Sequence, residues 1–298
     1  MKKTTLLKKL ILDRDVLVMP GVHDVLSAKI AEKVGAKAVQ VSGYGLSACY
    51  LGLPDMGILT LTQMAEITRN ICRAVDIPVM ADGDTGFGNA INLYYAVKEF
   101  EAAGAAGINL EDQLFPKRCG HMQGKQIISL DEGVKKIQAA VDAKTDPDFV
   151  INARTDAIAV YGVDEAIKRG NAYAKAGADL IFVEAPTGEE DIKRVIQSID
   201  APVSINMLYG KKTPPISVEQ IASYGAARVS VPIASVMATA YALEKLYKHI
   251  LEKGEITTIQ DVSYAFDHFT DLLGMQHILE LERQFLHSEE LDARYHCK

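Results

Sequence analysis

Two aspartates two residues apart, Asp82 and Asp84 in ADGDTGFGN (81–89), are the first sign of chemistry in this sequence. In an extended chain the side chains at such a spacing share a face, so the pair could grip one hard cation. Oxygen ligands with no nearby His or Cys cluster favour Mg²⁺ or Mn²⁺ over zinc, and Mg²⁺ usually keeps waters or takes substrate oxygens. A glycine-rich capped turn is the plainer reading of the same residues. A second segment, EDQLFPKRCGHMQGK (111–125), places Cys119 and His121 on either side of Gly120, with Lys117, Arg118 and Lys125 close by. Positive neighbours lower a thiol's pKa, so a solvent-reachable Cys119 could donate or accept a proton. Cys49, Cys72 and Cys297 have no comparable surroundings.

A recurring phrase supplies the elements that must position these groups. A helical stretch runs into Gly-Ala or Ala-Gly-Ala and then into a short β-branched run ending in polar residues: VGAKAVQVSG (34–43), AAGAAGINLED (102–112), KAGADLIFVEA (175–185) and SYGAARVSVP (223–232). Glycine supplies the left-handed residue that stops a helix, and continuous apolar runs suit strands covered on both faces. VLVMP (16–20), IPVMADGD (77–84), FVINARTD (149–156) and APVSINM (201–207) bring the expected strands to eight. Helical segments at 90–103, 130–143, 163–176, 189–198 and 218–223 provide crossovers. The expectation is an α/β fold, a (β/α)₈ barrel, over a doubly wound sheet. After the first strand stands PGVHDVLSAK, not the Gly-rich fingerprint an open dinucleotide-binding sheet would usually carry.

In such a barrel the site lies at the carboxyl ends of the strands. These ends are expected to carry Ser42-Gly43-Tyr44, Asp82-Gly83-Asp84, Glu111-Asp112, Arg154-Thr155-Asp156, Glu184 and Asn206. Carboxylates from neighbouring strands converge on the axis, where unpaired charge is costly, and a bound cation would relieve that cost. The whole chain, 1–298, reads as one barrel domain, with 235–298 a C-terminal extension of three helical segments (235–253, 259–273 and 275–291) suited to packing on a neighbouring subunit.

Composition narrows the class. With 298 residues and 48% apolar content, a large core is available. The apolar runs are strand-sized and fall short of the ~20 residues a bilayer span needs, and MKKTTLLKKLIL reads as an amphipathic helix, not a signal peptide. Four scattered cysteines without a C-x-x-C pair suggest neither disulfides nor structural zinc, so a cytoplasmic location is expected. A net charge of −7 without a basic stripe argues against a nucleic-acid partner.

SGYG (42–45), LGLPDMG (51–57), ADGDTGFGN (81–89), LEDQ (110–113), KRCGH (117–121), ARTDA (153–157) and FVEAP (182–186) together resemble the isocitrate lyase/phosphoenolpyruvate mutase superfamily, from about residue 20 to residue 232. KRCGH looks like its lyase branch, whose members include 2-methylisocitrate lyase, 2,3-dimethylmalate lyase and the petal death protein. It also occurs in carboxyphosphonoenolpyruvate phosphonomutase. The resemblance implies that Asp82 and Asp84 hold Mg²⁺, with Asp55 and Glu111 completing the shell. Ser42, Gly43 and Tyr44 would grip the carboxylate of a pyruvate half, the first two through backbone N–H groups. Arg154 would hold the oxygen that becomes the enolate or ketone, and Glu184 and Asn206 would orient the substrate. Cys119 would protonate the departing carbanion, with Gly120 and His121 on the same loop. Cys119, Arg154, His121 and Tyr44 form the implied catalytic set.

The implied activity is cleavage of a small 2-hydroxy dicarboxylate, of 2,3-dimethylmalate or 2-methylisocitrate type, to pyruvate and a short carboxylic acid. Phosphonomutase or oxaloacetate hydrolase/decarboxylase chemistry is the alternative, and a non-catalytic scaffold is the reading from a different class. The resemblance further implies a homotetramer that exchanges a late helix. Two departures favour a smaller, more methylated acid. Met237 and Phe266 stand where carboxylate-binding arginines of 2-methylisocitrate lyase are expected, and apolar contacts do not compensate buried carboxylates.

Overall fold

The structure, a computed structural model, describes residues 1–120, 122–208, 216–256 and 263–295. His121, the GKKTPP segment (210–215) and Cys297 lie outside them. The described chain divides into two units, Met1–Ala238 and Thr239–Lys298.

In the first unit eight parallel strands close into a barrel in sequence order: β1 Leu17–Val22, β2 Val39–Val41, β3 Val79–Asp82, β4 Gly107–Glu111, β5 Val150–Thr155, β6 Leu180–Val183, β7 Val203–Asn206 and β8 Arg228–Val231. Closure is completed by β8 pairing with β1, Leu17 opposite Arg228 and Pro20 opposite Val231. All eight expected strands are present, and the doubly wound alternative is excluded. Helices Leu130–Ala143, Glu189–Ser198 and Val218–Ser223 have the bounds the sequence suggests; Ala90–Ala102 and Val163–Lys175 each end one residue early. Three of the starts are fixed by side chains that accept from orphan N–H groups of the first turn: Asn89 from Ile91 and Asn92, Ser129 from Glu132, Ser217 from Gln220; the helices at Val163 and Glu189 follow glycines and have no side-chain cap.

Alternation along each strand sorts side chains into two sets. One set, with Val39, Val79, Ile108, Ile151, Ile181, Ile205 and Val229, packs outward against the helices in the main core. The other points into the barrel, and its chemistry changes with height. At the amino ends Leu17, Met19, Met80, Val150 and Leu180 form an apolar plug that is joined by Leu7 and Ile11. These two residues belong to the amphipathic helix Lys3–Ile11. Higher up come amides and hydroxyls, buried Gln40, Asn152 and Ser204 among them. Charged groups crown the carboxyl ends.

The second unit holds helices Phe266–Leu272, Met275–Phe285 and Ser288–Tyr295, none of which buries a residue. The third expected segment, 275–291, is thus two helices, interrupted where Leu286 leaves helical geometry at φ −90°, ψ 149°. Helix Ala234–Lys253 spans the division between the units. Among the described residues no helix is long and apolar enough to cross a membrane.

Candidate active site

The ends of β2 and β3 approach so closely that side-chain size decides what fits. Gly43 donates its N–H to Asp82 Oδ2 at 2.9 Å, and a Cβ at Gly43 would lie 2.5 Å from that oxygen. Asp82 Oδ1 also accepts from the Asp84 N–H at 3.1 Å. Asp84 has left the extended conformation, with φ +45°, so strand alternation does not put the two side chains on one face as expected. A local turn brings both carboxylates to the cavity instead.

Asp84 also has a cation of the chain's own beside it, which its sequence neighbours did not suggest. Lys117 is buried, with its ammonium 2.7 Å from Asp55 Oδ2 and 2.8 Å from Asp84 Oδ1. Burial pushes the Asp84 carboxyl up to about 7; Lys117 opposes this, while Asp82 and Asp55 reinforce it. Burial likewise raises the Glu111 carboxyl, against the pull of Arg154 and Lys117.

Arg154 on β5 is the second counter-charge. Its guanidinium clasps Asp156 through two bonds, 2.9 and 3.1 Å, and stands 3.3 Å from Glu111 and 3.6 Å from Glu184. Burial alone would favour its neutral form, but Asp156, Glu111 and Glu184 hold it charged. Asp156 is in turn fixed by Lys125 at 2.8 Å and by its own N–H, which donates to Asp112 Oδ1 at 2.9 Å. Against the cost of burial, Arg154 and Lys125 hold the Asp156 carboxyl well below the usual range. Behind it, Asp112 accepts from Thr155, Arg169 and Tyr173 at 2.7, 3.0 and 2.9 Å.

The loop after β4 folds over this cluster. It is closed at its base by a bridge between Gln113 and Ile127, and the Gln113 amide clasps the backbone of Arg118, donating at 2.8 Å and accepting at 3.0 Å. The Cys119 N–H donates to the Asp55 carbonyl at 3.1 Å. Lys125 donates to the Gly120 carbonyl as well as to Asp156. A Cβ at Gly120 would fall 2.4 Å from Glu184 and 2.5 Å from Arg154, so only glycine lets the loop descend this far. The cations expected to act on the thiol have other partners: Lys117 and Lys125 hold carboxylates, and Arg118 bonds the Gln123 carbonyl.

Together these elements enclose a cavity of about 60 Å³, room for a few water-sized groups. Of the expected site residues, Ser42, Gly43, Tyr44, Asp55, Asp82, Asp84, Glu111, Cys119, Gly120, Arg154, Glu184 and Asn206 all line it. Met237 does not: the lining after β8 is Pro232 and Ile233. Phe266, in the second unit, is 79% exposed. The N–H groups of Ser42 and Gly43 bond Val22 and Asp82 in this structure, so they reach a carboxylate only by exchanging those bonds. Lys117 and Lys125, expected beside the thiol, are instead counter-charges to buried carboxylates; Asp156 was expected at its strand end without a role, and Gln40 was not singled out. The signal for the two lysines was the excess of acids over bases at the strand ends.

The donor set suits a hard cation. It is all oxygen, and Glu111 Oε1 is buried without a hydrogen-bond partner among the described residues. No three acidic, His or Cys side chains among the described residues converge as a ready cage. With the Lys117 ammonium between Asp55 and Asp84, the arrangement fits an ion that keeps part of its water shell rather than one enclosed by protein.

The family model described as Phosphoenolpyruvate phosphomutase matches residues 7–251. The chain is similar to 2,3-dimethylmalate lyase of Eubacterium barkeri, 42% identical over 279 residues, covering 94% of this chain and 96% of the relative. It is equally similar to 2-methylisocitrate lyase of Aeropyrum pernix, 42% identical over 290 residues, with 97% and 93% covered. Among solved structures, phosphonopyruvate hydrolase in complex with oxalate and Mg²⁺ superposes with a TM-score of 0.88 at 32% identity, covering 96% of this chain and all of the other.

Asp156→Asn leaves Arg154 and Lys125 short of a buried counter-charge, and should lower the unfolding free energy by about 3 to 5 kcal/mol. Arg69→Ala, which breaks an exposed 3.0 Å pair with Glu99, should cost under about 1 kcal/mol. Urea unfolding of both variants checks the contrast. Because the folded Asp156 carboxyl lies below its ordinary value of 3.8, its contribution is complete above that pH and fades as the pH falls through the depressed value. The loss from Asp156→Asn should therefore shrink at acid pH.

Proposed function

Because the chain belongs to the phosphoenolpyruvate mutase/isocitrate lyase superfamily, we propose that it is a Mg²⁺-dependent carbon–carbon lyase acting on a small 2-hydroxy dicarboxylate of 2,3-dimethylmalate type. The observation that carries this reading is the convergence of Arg154, a carboxylate cluster and the loop cysteine Cys119 on one small cavity. Cleavage of such an acid turns its hydroxyl into the ketone of pyruvate and leaves an electron pair on the departing carbon. The chemistry therefore needs three things: a positive group at the oxygen, a base for the hydroxyl proton, and an acid for the departing carbon.

Arg154 stands where it can hold the oxygen, and Asp156 fixes its guanidinium plane. The buried carboxylates offer bases, and the Cys119 thiol is the acid that protonates the second fragment. Ser42, Gly43 and Tyr44 receive the pyruvate carboxylate, while Glu184, joined by the Asn206 amide at 3.4 Å, orients the rest. Asp82, Asp84, Asp55 and Glu111 would hold the Mg²⁺, which when bound supplies further positive charge to the pyruvate oxygens. Mn²⁺ meets the same donor set. His121 belongs to the same reading from the sequence. Phe182, Leu208, Pro232 and Ile233 give the cavity an apolar side suited to methyl groups. This supports a methylated dicarboxylate over a tricarboxylate.

Homotetrameric assembly with exchanged C-terminal helices is part of the proposal. It is supported by Phe266, Leu273, Met275, Ile278, Leu281 and Phe285, which are between 36% and 79% exposed on helices that bury nothing. An apolar face of this kind calls for a second surface, and a second copy of the chain provides one.

The protein incubated with Mg²⁺ should release pyruvate from 2,3-dimethylmalate faster than from 2-methylisocitrate, and exhaustive chelation should abolish release. Higher kcat/KM for the tricarboxylate, or turnover confined to oxaloacetate or phosphonopyruvate, would overturn the substrate assignment. Cys119→Ser should lower kcat for cleavage at least about 100-fold while changing the Kd of oxalate less than about threefold. Equal losses would make Cys119 a binding residue. By sedimentation at micromolar concentration the protein should be a tetramer, and Phe285→Asp with Ile278→Asp should shift it toward smaller species; an active monomer rules the assembly out.

A further inference from the structure

Beneath the charged crown lies an arginine for which the reaction has no evident use. Arg228 on β8 is 0% exposed inside the barrel, and among the described residues no carboxylate pairs with it. One terminal nitrogen donates to Gln40 Oε1 at 2.6 Å and the other reaches the sulfur of Met80 and, at 3.5 Å, Asn109 Oδ1. Its Nε has no hydrogen-bond partner among the described residues. Burial lowers the guanidinium to about 9, so it stays charged at neutral pH. An apolar side chain of similar volume would fill this place without that desolvation cost.

Gln40 connects this buried cation to the site. It lies on β2 two residues before Ser42, so the two side chains share the inward face, and both line the cavity. A primary amide has one oxygen that accepts and one NH₂ that donates, whereas a guanidinium only donates. With Oε1 bound to Arg228, the amide cannot turn around, and its NH₂ is the end left for the cavity.

We propose that Gln40, its amide locked by the Arg228 guanidinium, is a specificity-determining residue that donates a hydrogen bond from the cavity floor to an oxygen of the substrate's carboxylate or 2-oxo group. Arg228 is the positioning residue behind it, and its uncompensated charge has the sign that suits an anion. The assignment rests on reading the cavity as a site for a small oxo or hydroxy acid. It adds a donor on the axis, below the Ser42–Tyr44 segment, and selects substrates that turn an oxygen rather than a methyl group downward.

The test is binding of oxalate and of pyruvate, in the presence of Mg²⁺, to the wild-type protein and to Gln40→Leu, Gln40→Glu, Arg228→Met and the double variant Gln40→Leu/Arg228→Met, with melting curves to verify folding. Removing a hydrogen bond to a charged group should weaken oxalate binding about 10- to 100-fold in Gln40→Leu. Gln40→Glu keeps the contact with Arg228 but replaces the donor by an acceptor, and should lose more. Arg228→Met should weaken binding, with little further loss in the double variant, because both changes remove the same oriented donor. If Arg228→Met fails to fold, the two Gln40 variants decide. Wild-type affinity in Gln40→Leu, or a wild-type protein that binds neither probe, overturns the proposal. Failure of the lyase reading is a separate result: no pyruvate from any acid, with oxalate affinity still dependent on Gln40.

Discussion

Barrel closure forces like charges together, and much of the site's architecture answers that constraint. Closing eight parallel strands aims the last inward side chain of each at one axis, and in this chain several of those are carboxylates. Each would be costly to bury alone. Three cations divide the work by position, with Lys125 supporting Asp156 from the loop. Lys117 serves the β3 side through Asp55 and Asp84. Arg154 serves β4 to β6 through Glu111, Asp156 and Glu184. The balance remains negative on the cavity wall, with Asp55, Asp82, Asp84, Glu111 and Glu184 facing Lys117 and Arg154. A divalent cation is the natural complement to that remainder.

The same ion pairs explain why the loop after β4 has a defined place over the cavity. Loops held by a few backbone bonds open easily, but this one carries two of the barrel's counter-charges on its own chain. Lys117 is drawn in by Asp55 and Asp84, and Lys125 by Asp156. Cys119 and Gly120 lie between those two anchors in sequence, so neutralising the acids and seating the thiol are one structural event. The glycine between Cys119 and His121 matters because Arg154 and Glu184 leave no room for a Cβ.

The barrel was legible in the sequence because its punctuation is local. Glycine ends a helix within a few residues of the strand that follows, as at Gly104 before β4 and Gly177 before β6, both with positive φ. Most candidate site residues were legible for a related reason, since strand ends can be read once strands are found. What escaped was long-range. Lys117 and Asp55 are 62 residues apart, and Lys125 and Asp156 are 31 apart, so no spacing rule joins them. Asp84 escaped in another way: it lies in a turn just past the end of β3 with a left-handed backbone, and an aspartate does not announce a positive φ as a glycine would. The break at Leu286 interrupts an apolar pattern that reads as continuous helix.

Height along the barrel axis gives these observations a single order. The amino end is apolar and sealed by the helix Lys3–Ile11, the middle holds amides around Arg228, and the carboxyl end holds ion pairs. Water is thereby excluded from below, and the amide layer stands between a dry plug and a charged, partly open mouth. Electrostatic interactions gain strength as water is removed, so a donor in the middle layer discriminates between an oxygen and a methyl group more sharply than one at the rim. A cavity arranged this way separates its levels by chemistry: ion pairs and ionisable groups line the rim, and neutral amides held by one buried cation line the floor.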